Sequence, residues 1–131
     1  MKFNNPISEV WHADPEARIY NGKYCIYVTR SLPYEQQLNQ DMFISDDLEH
    51  WIKIESIIDM NDFPWVKKAV WAPTIIEKNG KYYYIFATND IHEDNEGGGL
   101  EIAVSDSPTG PFKGYLGKSL IGTIINGAQP I

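Results

Sequence analysis

Two stretches decide the fold: Lys23-Tyr24-Cys25-Ile26-Tyr27-Val28-Thr29-Arg30 and Lys81-Tyr82-Tyr83-Tyr84-Ile85-Phe86-Ala87-Thr88. Both are rich in β-branched and aromatic residues, which fit a pleated surface. Each follows an Asn-Gly pair, Asn21-Gly22 and Asn79-Gly80, the dipeptide that marks a two-residue hairpin turn. Both are apolar at consecutive rather than alternating positions. A strand that reads this way is covered on both faces. Helical periodicity is almost absent; short helical turns are expected only around 33–39 and 61–68.

Working outward from these strands, the two halves of the chain match. Asn-Gly-Lys-Tyr begins at Asn21 and again at Asn79, Pro15 and Pro73 keep the same spacing, and Ser45-Asp46 and Ser105-Asp106 nearly keep it. Each unit reads as a strand after the proline, an Asn-Gly turn, a buried strand and a third strand ending in Ser-Asp. The third strands are expected at 41–45 and 100–105. The fourth are expected near 51–57 and within 111–117. Four strands at a constant period of this size are the signature of a propeller blade. Pro130 follows Pro73 at almost the same interval and opens a third unit. The expectation is an all-β partial β-propeller, with blade one at about 11–60, blade two at about 69–120 and the start of blade three at about 124–131. A blade buries its two faces only against neighbours, so the chain is expected to be part of a larger propeller. The alternative is a self-contained sandwich of two four-stranded sheets, which the doubly apolar strands disfavour.

Composition sets further limits. The 131 residues carry 11 Lys and Arg against 18 Asp and Glu, a formal charge of −7. That balance argues against nucleic acid, whose phosphates need a basic surface, and against an anionic membrane surface. Hydrophobic residues make up 43%, too many for a disordered acidic tail, and the length suits one soluble domain. Cys25 is the sole cysteine, so neither an intrachain disulfide nor a cysteine-based zinc site can form. Its apolar context predicts a buried structural thiol. The N-terminus lacks the apolar stretch of a signal peptide, and no run approaches the roughly 20 apolar residues of a membrane-spanning helix. The expected compartment is the cytoplasm, or the exterior if a leader was removed.

Candidate functional residues cluster at the openings of the units. The first opens with Trp11-His12-Ala13-Asp14-Pro15-Glu16-Ala17, the second with Ala69-Val70-Trp71-Ala72-Pro73-Thr74, and the chain closes Asn126-Gly127-Ala128-Gln129-Pro130-Ile131. All three fall where an innermost strand begins, at one end of a propeller's central channel. Repetition therefore gathers them around one axis, with Asp14 and Trp71 expected to face a common pocket. "HADPEARIYNGKYCIYVT", "AVWAPTIIEKNGKYYYIFATND", "IAVSDSPTGPFKG" and "NGAQPI" together resemble the N-terminal portion of glycoside hydrolase family 43, from about His12 to Ile131. The resemblance implies a five-bladed propeller, roughly 290 residues at this period, of which this chain supplies the first two blades. It implies inverting hydrolysis of arabinofuranosides or xylosides of the hemicellulose type, acting from the chain end.

Inverting glycosidases use two carboxyl groups, one as base on a water and one as acid on the leaving oxygen. The resemblance places the base at Asp14. Without it, Asp14 reads as a turn cap before proline. It also implies that the segment at Gly127–Ile131 leads into an Asp that tunes the acid, and that the general acid is a Glu in the next blade, so the chain alone is expected to be inactive. Trp71 offers an indole face for a sugar ring; the alternative is a core residue between blades. His12 could hydrogen-bond the sugar or orient Asp14, or be structural. Asn89 and Asp90 could line the rim.

Other signals are weaker. Glu93-Asp94-Asn95-Glu96 before Gly97-Gly98-Gly99 lacks the ligand spacing of a calcium loop and reads as a mobile acidic turn; the glycines do not form a phosphate cradle. His50 and His92 have no partner at metal spacing. No cofactor or metal ligand is expected from this chain, although a structural calcium can belong to a complete propeller of this kind. The expected partner is a small oligosaccharide or glycoside, with self-association or the remaining blades covering the open faces. Two other readings stay open: a non-catalytic carbohydrate-binding half-propeller, and a module that assembles copies into a closed ring.

Overall fold

The computed structural model describes residues 5–89 and 98–122. Two antiparallel four-stranded meanders make up the fold. The first contains β1 (His12–Tyr20), β2 (Lys23–Arg30), β3 (Gln40–Ser45) and β4 (Ile52–Ile54), in that spatial order. The second contains β5 (Trp71–Lys78), β6 (Lys81–Thr88), β7 (Gly99–Ser105) and β8 (Lys113–Gly114), likewise in chain order. Both Asn-Gly turns form with left-handed backbone at both positions: Asn21 and Gly22 have φ of 53° and 75°, Asn79 and Gly80 have 54° and 76°. That is the hairpin geometry whose twist matches the strands it joins. The helical turns expected at 33–39 and 61–68 reduce to a hydrogen-bonded turn after Pro33 and one short 3-10 helix, Met60–Asp62, capped by Asp59. Neither segment has enough apolar period to extend a helix. The expected start of a third unit at 124–131 lies outside the described residues, as do Asp90, His92 and the acidic run Glu93–Glu96.

The way the sheets stack distinguishes blades from a two-fold sandwich. Sheet one presents Cys25, Tyr27 and Met42 to the shared core, whereas sheet two presents Tyr82, Tyr84, Phe86 and Ala103. In the sequence repeat, the partners of Cys25 and Tyr27 are Tyr83 and Ile85, on the opposite face of β6. Unlike faces therefore meet, head to tail, as in a repeat array that continues by rotation. The first strands, β1 and β5, lie beside each other. β1 is mostly exposed while β2 and β3 are largely buried, the pattern of a strand that lines a channel.

The core between the sheets is aromatic. Tyr84 and Phe112 stack at 4.7 Å, Tyr27 tilts against Tyr84 at 5.6 Å, and Phe63 meets Phe86 edge-on at 5.3 Å. Such pairs add about 0.5–1.5 kcal/mol each beyond the area they bury. Their hydroxyls are satisfied across the interface: Tyr84 Oη donates to Gln40 Oε1 at 2.8 Å and Tyr27 Oη to the Pro108 carbonyl at 2.6 Å. Burial pushes both phenols far above their ordinary range. Backbone bonds join the outer edges. Phe112 N donates to the Ile57 carbonyl and Asp59 N to the Phe112 carbonyl, each at 2.8 Å. Cys25 is buried, as its sequence context predicts.

Candidate active site

Asp14 sits where β1 breaks register with β2. The pairing jumps from Ala13 opposite Thr29 to Glu16 opposite Tyr27, leaving Asp14 and Pro15 as a bulge. A bulge re-aims a side chain out of the ladder. Asp14 has φ of 50°, a left-handed conformation that costs a non-glycine residue about 1–3 kcal/mol. Asp14 is exposed. Thr29 Oγ1 donates to Asp14 Oδ2 at 2.8 Å. Among the described residues, no hydrogen bond reaches the other oxygen, Oδ1.

The second blade repeats this distortion. Its pairing jumps from Trp71 opposite Ala87 to Thr74 opposite Ile85, and Ala72, the partner of Asp14 in the repeat, has φ of 45°. Ala72 N donates to Thr29 Oγ1 at 2.8 Å. One buried hydroxyl thus joins the carboxylate of the first bulge to the backbone of the second. Two residues further along, Thr74 Oγ1 donates to Glu16 Oε1 at 2.9 Å, linking positions that are themselves repeat partners. Glu16 also pairs with Arg18.

The structure places Trp71 beside Ala72, at the same end of the inner strands as Asp14. Its indole Nε1 donates to the Asn89 carbonyl at 3.4 Å and the ring is half-buried. Asn89, left-handed at φ of 57°, turns its side-chain oxygen toward the amides of Lys67, at 3.0 Å, and Lys68, at 3.4 Å. It thereby ties the loop that leads into β5 to the end of β6, while its carbonyl holds the indole.

His12 occupies the other face of β1. It pairs with Arg30 across the ladder, whereas Ala13, one step on, pairs with Thr29. Alternation of side chains along a strand therefore separates His12 from the Thr29–Asp14 pair. Its Nδ1 lies 3.1 Å from the Val10 carbonyl, its Nε2 3.6 Å from Asp41 Oδ2, and its ring packs edge-on against Phe43. Asp41 is the hub of this second cluster, with its side chain 1% exposed. Arg30 pairs with both its oxygens, Lys53 Nζ lies at 3.3 Å and the Ser56 amide donates at 3.0 Å. Burial pushes the Asp41 carboxyl up, but Arg30, the Ser56 amide and Lys53 outweigh it and hold it below the usual carboxylate range. With Trp11, which is 81% exposed, these groups line a cleft of about 350 Å³.

Neither Thr29 nor Asp41 stands out in the sequence. The signal for Thr29 is a difference between the repeats: a hydroxyl ends one apolar strand where Ala87 stands in the other. Among the described residues, no group of three or more His, Cys, Asp or Glu is placed to hold a metal ion.

Comparison with known proteins identifies the family. The family model for glycosyl hydrolases family 43 matches residues 3–125. A β-D-galactofuranosidase of Aspergillus niger is 34% identical over 99% of this chain and 40% of its own length. A xylosidase/arabinosidase of Humicola insolens is 33% identical over 81% of this chain and 36% of its own. Among solved structures, a family-43 enzyme of Xanthomonas citri complexed with xylotriose superposes with a TM-score of 0.75 at 22% identity, over 92% of this chain and 37% of that one. A β-xylosidase/α-arabinofuranosidase from a compost metagenome gives 0.71 at 26% identity, over 88% and 37%. The chain spans less than half the length of each of these proteins. Its two sheets are two adjacent blades of a propeller of this kind, and the chain belongs to glycosyl hydrolase family 43.

Proposed function

We propose that this chain carries the base half of an inverting glycoside hydrolase that removes xylosyl or arabinofuranosyl units from hemicellulose-type saccharides. The observation that carries the reading is Asp14: an exposed carboxylate at the mouth of the inner strands, one oxygen held and the other without a hydrogen bond among the described residues. In the proposed reaction a water molecule lies against Asp14 Oδ1. The carboxylate takes a proton from it as the water oxygen attacks the anomeric carbon. The bond to the leaving oxygen breaks as that oxygen takes a proton from a carboxylic acid on a later blade. The product sugar leaves with inverted configuration, and Asp14 and the acid exchange their protons with solvent. General acid and general base each contribute about 10²–10⁴-fold, so residues 1–131 alone, without the acid, are expected to give no measurable turnover. Trp71 offers its ring to the non-reducing sugar, an apolar face with its N–H tied back to the backbone. Asn89 keeps that ring in place. The relatives' names, galactofuranosidase and xylosidase/arabinosidase, support five-membered and pentose rings as the substrate class.

The test is hydrolysis of 4-nitrophenyl β-D-xyloside and α-L-arabinofuranoside by the complete gene product, with the anomer of the first-formed sugar read by NMR. The expected product is inverted. Asp14→Asn, whose amide cannot accept the proton, is expected to lower kcat by several orders of magnitude, on the scale of 10³-fold, with the melting temperature unchanged. An Asp14→Asn variant within a few-fold of wild type rules Asp14 out as base. Sugar affinity without turnover in the complete protein favours a carbohydrate-binding propeller instead.

A further inference from the structure

We propose that Thr29 is a positioning residue for the reaction: its hydroxyl fixes the orientation of the Asp14 carboxylate and couples it to the backbone that carries Trp71. The proposal rests on the reading of Asp14 as general base. A threonine hydroxyl has one proton and two acceptor sites. At Thr29 the Ala72 amide, which can only donate, fills one acceptor site at 2.8 Å, and Asp14 Oδ2 accepts the proton, also at 2.8 Å. The proton's direction is therefore determined. Asp14 Oδ2 is occupied by a charge-assisted bond, which leaves Oδ1, on an exposed residue, without a hydrogen bond among the described residues. Thr29 is 4% exposed and β-branched, hence stiff about χ1, so the hydroxyl has little freedom to release either partner.

The repeat argues that this hydroxyl is not a requirement of the blade. Ala87 stands at the matching place in β6, opposite Trp71, and the bulge at Ala72 forms there with the same left-handed backbone. The hydroxyl appears in the blade whose bulge bears a carboxylate. A bond that merely closed the strand pairing would be expected in both.

The experiment compares kcat and KM for Thr29→Val, Thr29→Ser, Asp14→Asn and the Asp14→Asn/Thr29→Val double variant, in the complete gene product, with melting curves on each. Valine keeps the shape and removes the hydroxyl; serine keeps the hydroxyl. The expected result is a kcat loss of about 10–100-fold for Thr29→Val with KM within about threefold, since misplacing a reacting group by an ångström costs on that order. Thr29→Ser is expected to remain close to wild type. In the Asp14→Asn background the valine is expected to cost nothing further, because a residue that acts through Asp14 has nothing left to position. A Thr29→Val enzyme with wild-type kcat beside a dead Asp14→Asn overturns the proposal and leaves the base assignment standing. An active Asp14→Asn overturns both. An equal valine loss in the two backgrounds shows that Thr29 acts elsewhere and overturns the proposal. Should Thr29→Val fail to fold, Thr29→Ala replaces it: a tenfold or larger kcat gap between folded Thr29→Ala and Thr29→Ser supports the proposal, and equal values overturn it.

Discussion

The two blades share a backbone down to its irregularities, yet only one has a carboxylate at its bulge. Each has a left-handed Asn-Gly turn, a bulge before the same proline and a third strand ending in Ser-Asp. At the bulge, blade one has Asp14 and blade two has Ala72. In the third strand, blade one buries Asp41 among Arg30, Lys53 and the Ser56 amide, whereas blade two buries Glu101, its repeat partner, among the hydroxyls of Thr88 and Ser119. The left-handed bulge therefore belongs to the frame, since it persists with alanine. The carboxylate is a substitution placed on it. What distinguishes the first bulge is that its left-handed backbone coincides with an exposed charge.

The most severe way to break this comparison is to move the carboxylate. Asp14→Ala combined with Ala72→Asp keeps composition and charge, and both residues keep the same local backbone. If the frame were all that mattered, activity would return. The expected outcome is no recovery, with kcat lower than wild type by about 10²–10⁴-fold, because the second bulge points around the axis by one blade and lacks a Thr29 equivalent. Turnover of an aryl xyloside decides it.

The buried carboxylates sharpen the comparison through stability. Asp41→Asn leaves Arg30 and Lys53 without their shared anion and is expected to cost about 3 kcal/mol, read by urea denaturation. Glu101→Gln is expected to change stability by less than about 1 kcal/mol. The amide can keep the acceptor used by Thr88 and Ser119, and it replaces Oε2, which has no hydrogen-bond partner among the described residues. Similar losses at the two positions would mean that both blades rely on their carboxylates alike. The pH dependence has a definite sign at Asp41. Its folded pKa lies below the unfolded one, so its contribution is present above the ordinary carboxylate value near 4 and disappears as pH falls through the folded value. Asp41→Asn is expected to flatten that acid limb.

Much of this frame is legible in the sequence because it is local. Asn-Gly pairs dictate their own turn, consecutive apolar residues announce strands covered on both faces, and a constant spacing of motifs makes each blade predict the other. The short outer strands β4 and β8 are placed only approximately, since so few residues carry no periodicity. The candidate site is legible in part. Asp14 and Trp71 stand in motifs, but their link runs through Thr29 to Ala72, 43 residues away in sequence, and nothing local announces such a bond. Closeness in sequence suggests that His12 orients Asp14, two positions on. The strand's alternation and the bulge turn it toward Asp41 instead.

A smaller effect is expected at Trp71. If its ring stacks on a desolvated sugar, Trp71→Ala weakens binding by about 1–3 kcal/mol, the scale of aromatic stacking in other ligands. Calorimetric titration with xylose oligomers, beside a melting curve, separates a binding surface from a core residue. A large drop in melting temperature at constant affinity assigns Trp71 to the packing between blades, and the difference between the two blade openings then reduces to Asp14 alone.

The smallest effect is expected where the blades agree most closely. Lys23 Nζ meets Asp46 Oδ1 at 2.6 Å, and Lys81 Nζ meets Asp106 Oδ1 at 2.7 Å. Each pair bridges the start of a blade's second strand to the end of its third. The repetition invites the view that the pair holds the blade together. Physical chemistry argues otherwise: the aspartate side chains are 77% and 85% exposed, so water and salt screen the attraction while two flexible side chains lose freedom to form it. Asp46→Asn and Asp106→Asn are therefore each expected to leave the melting temperature without a resolvable change, in low salt as in high. A clear loss at both sites would show that repeated surface charge stabilises the blades. A loss at one site alone would show that the two blades, alike in backbone, differ in how firmly their second and third strands are held together.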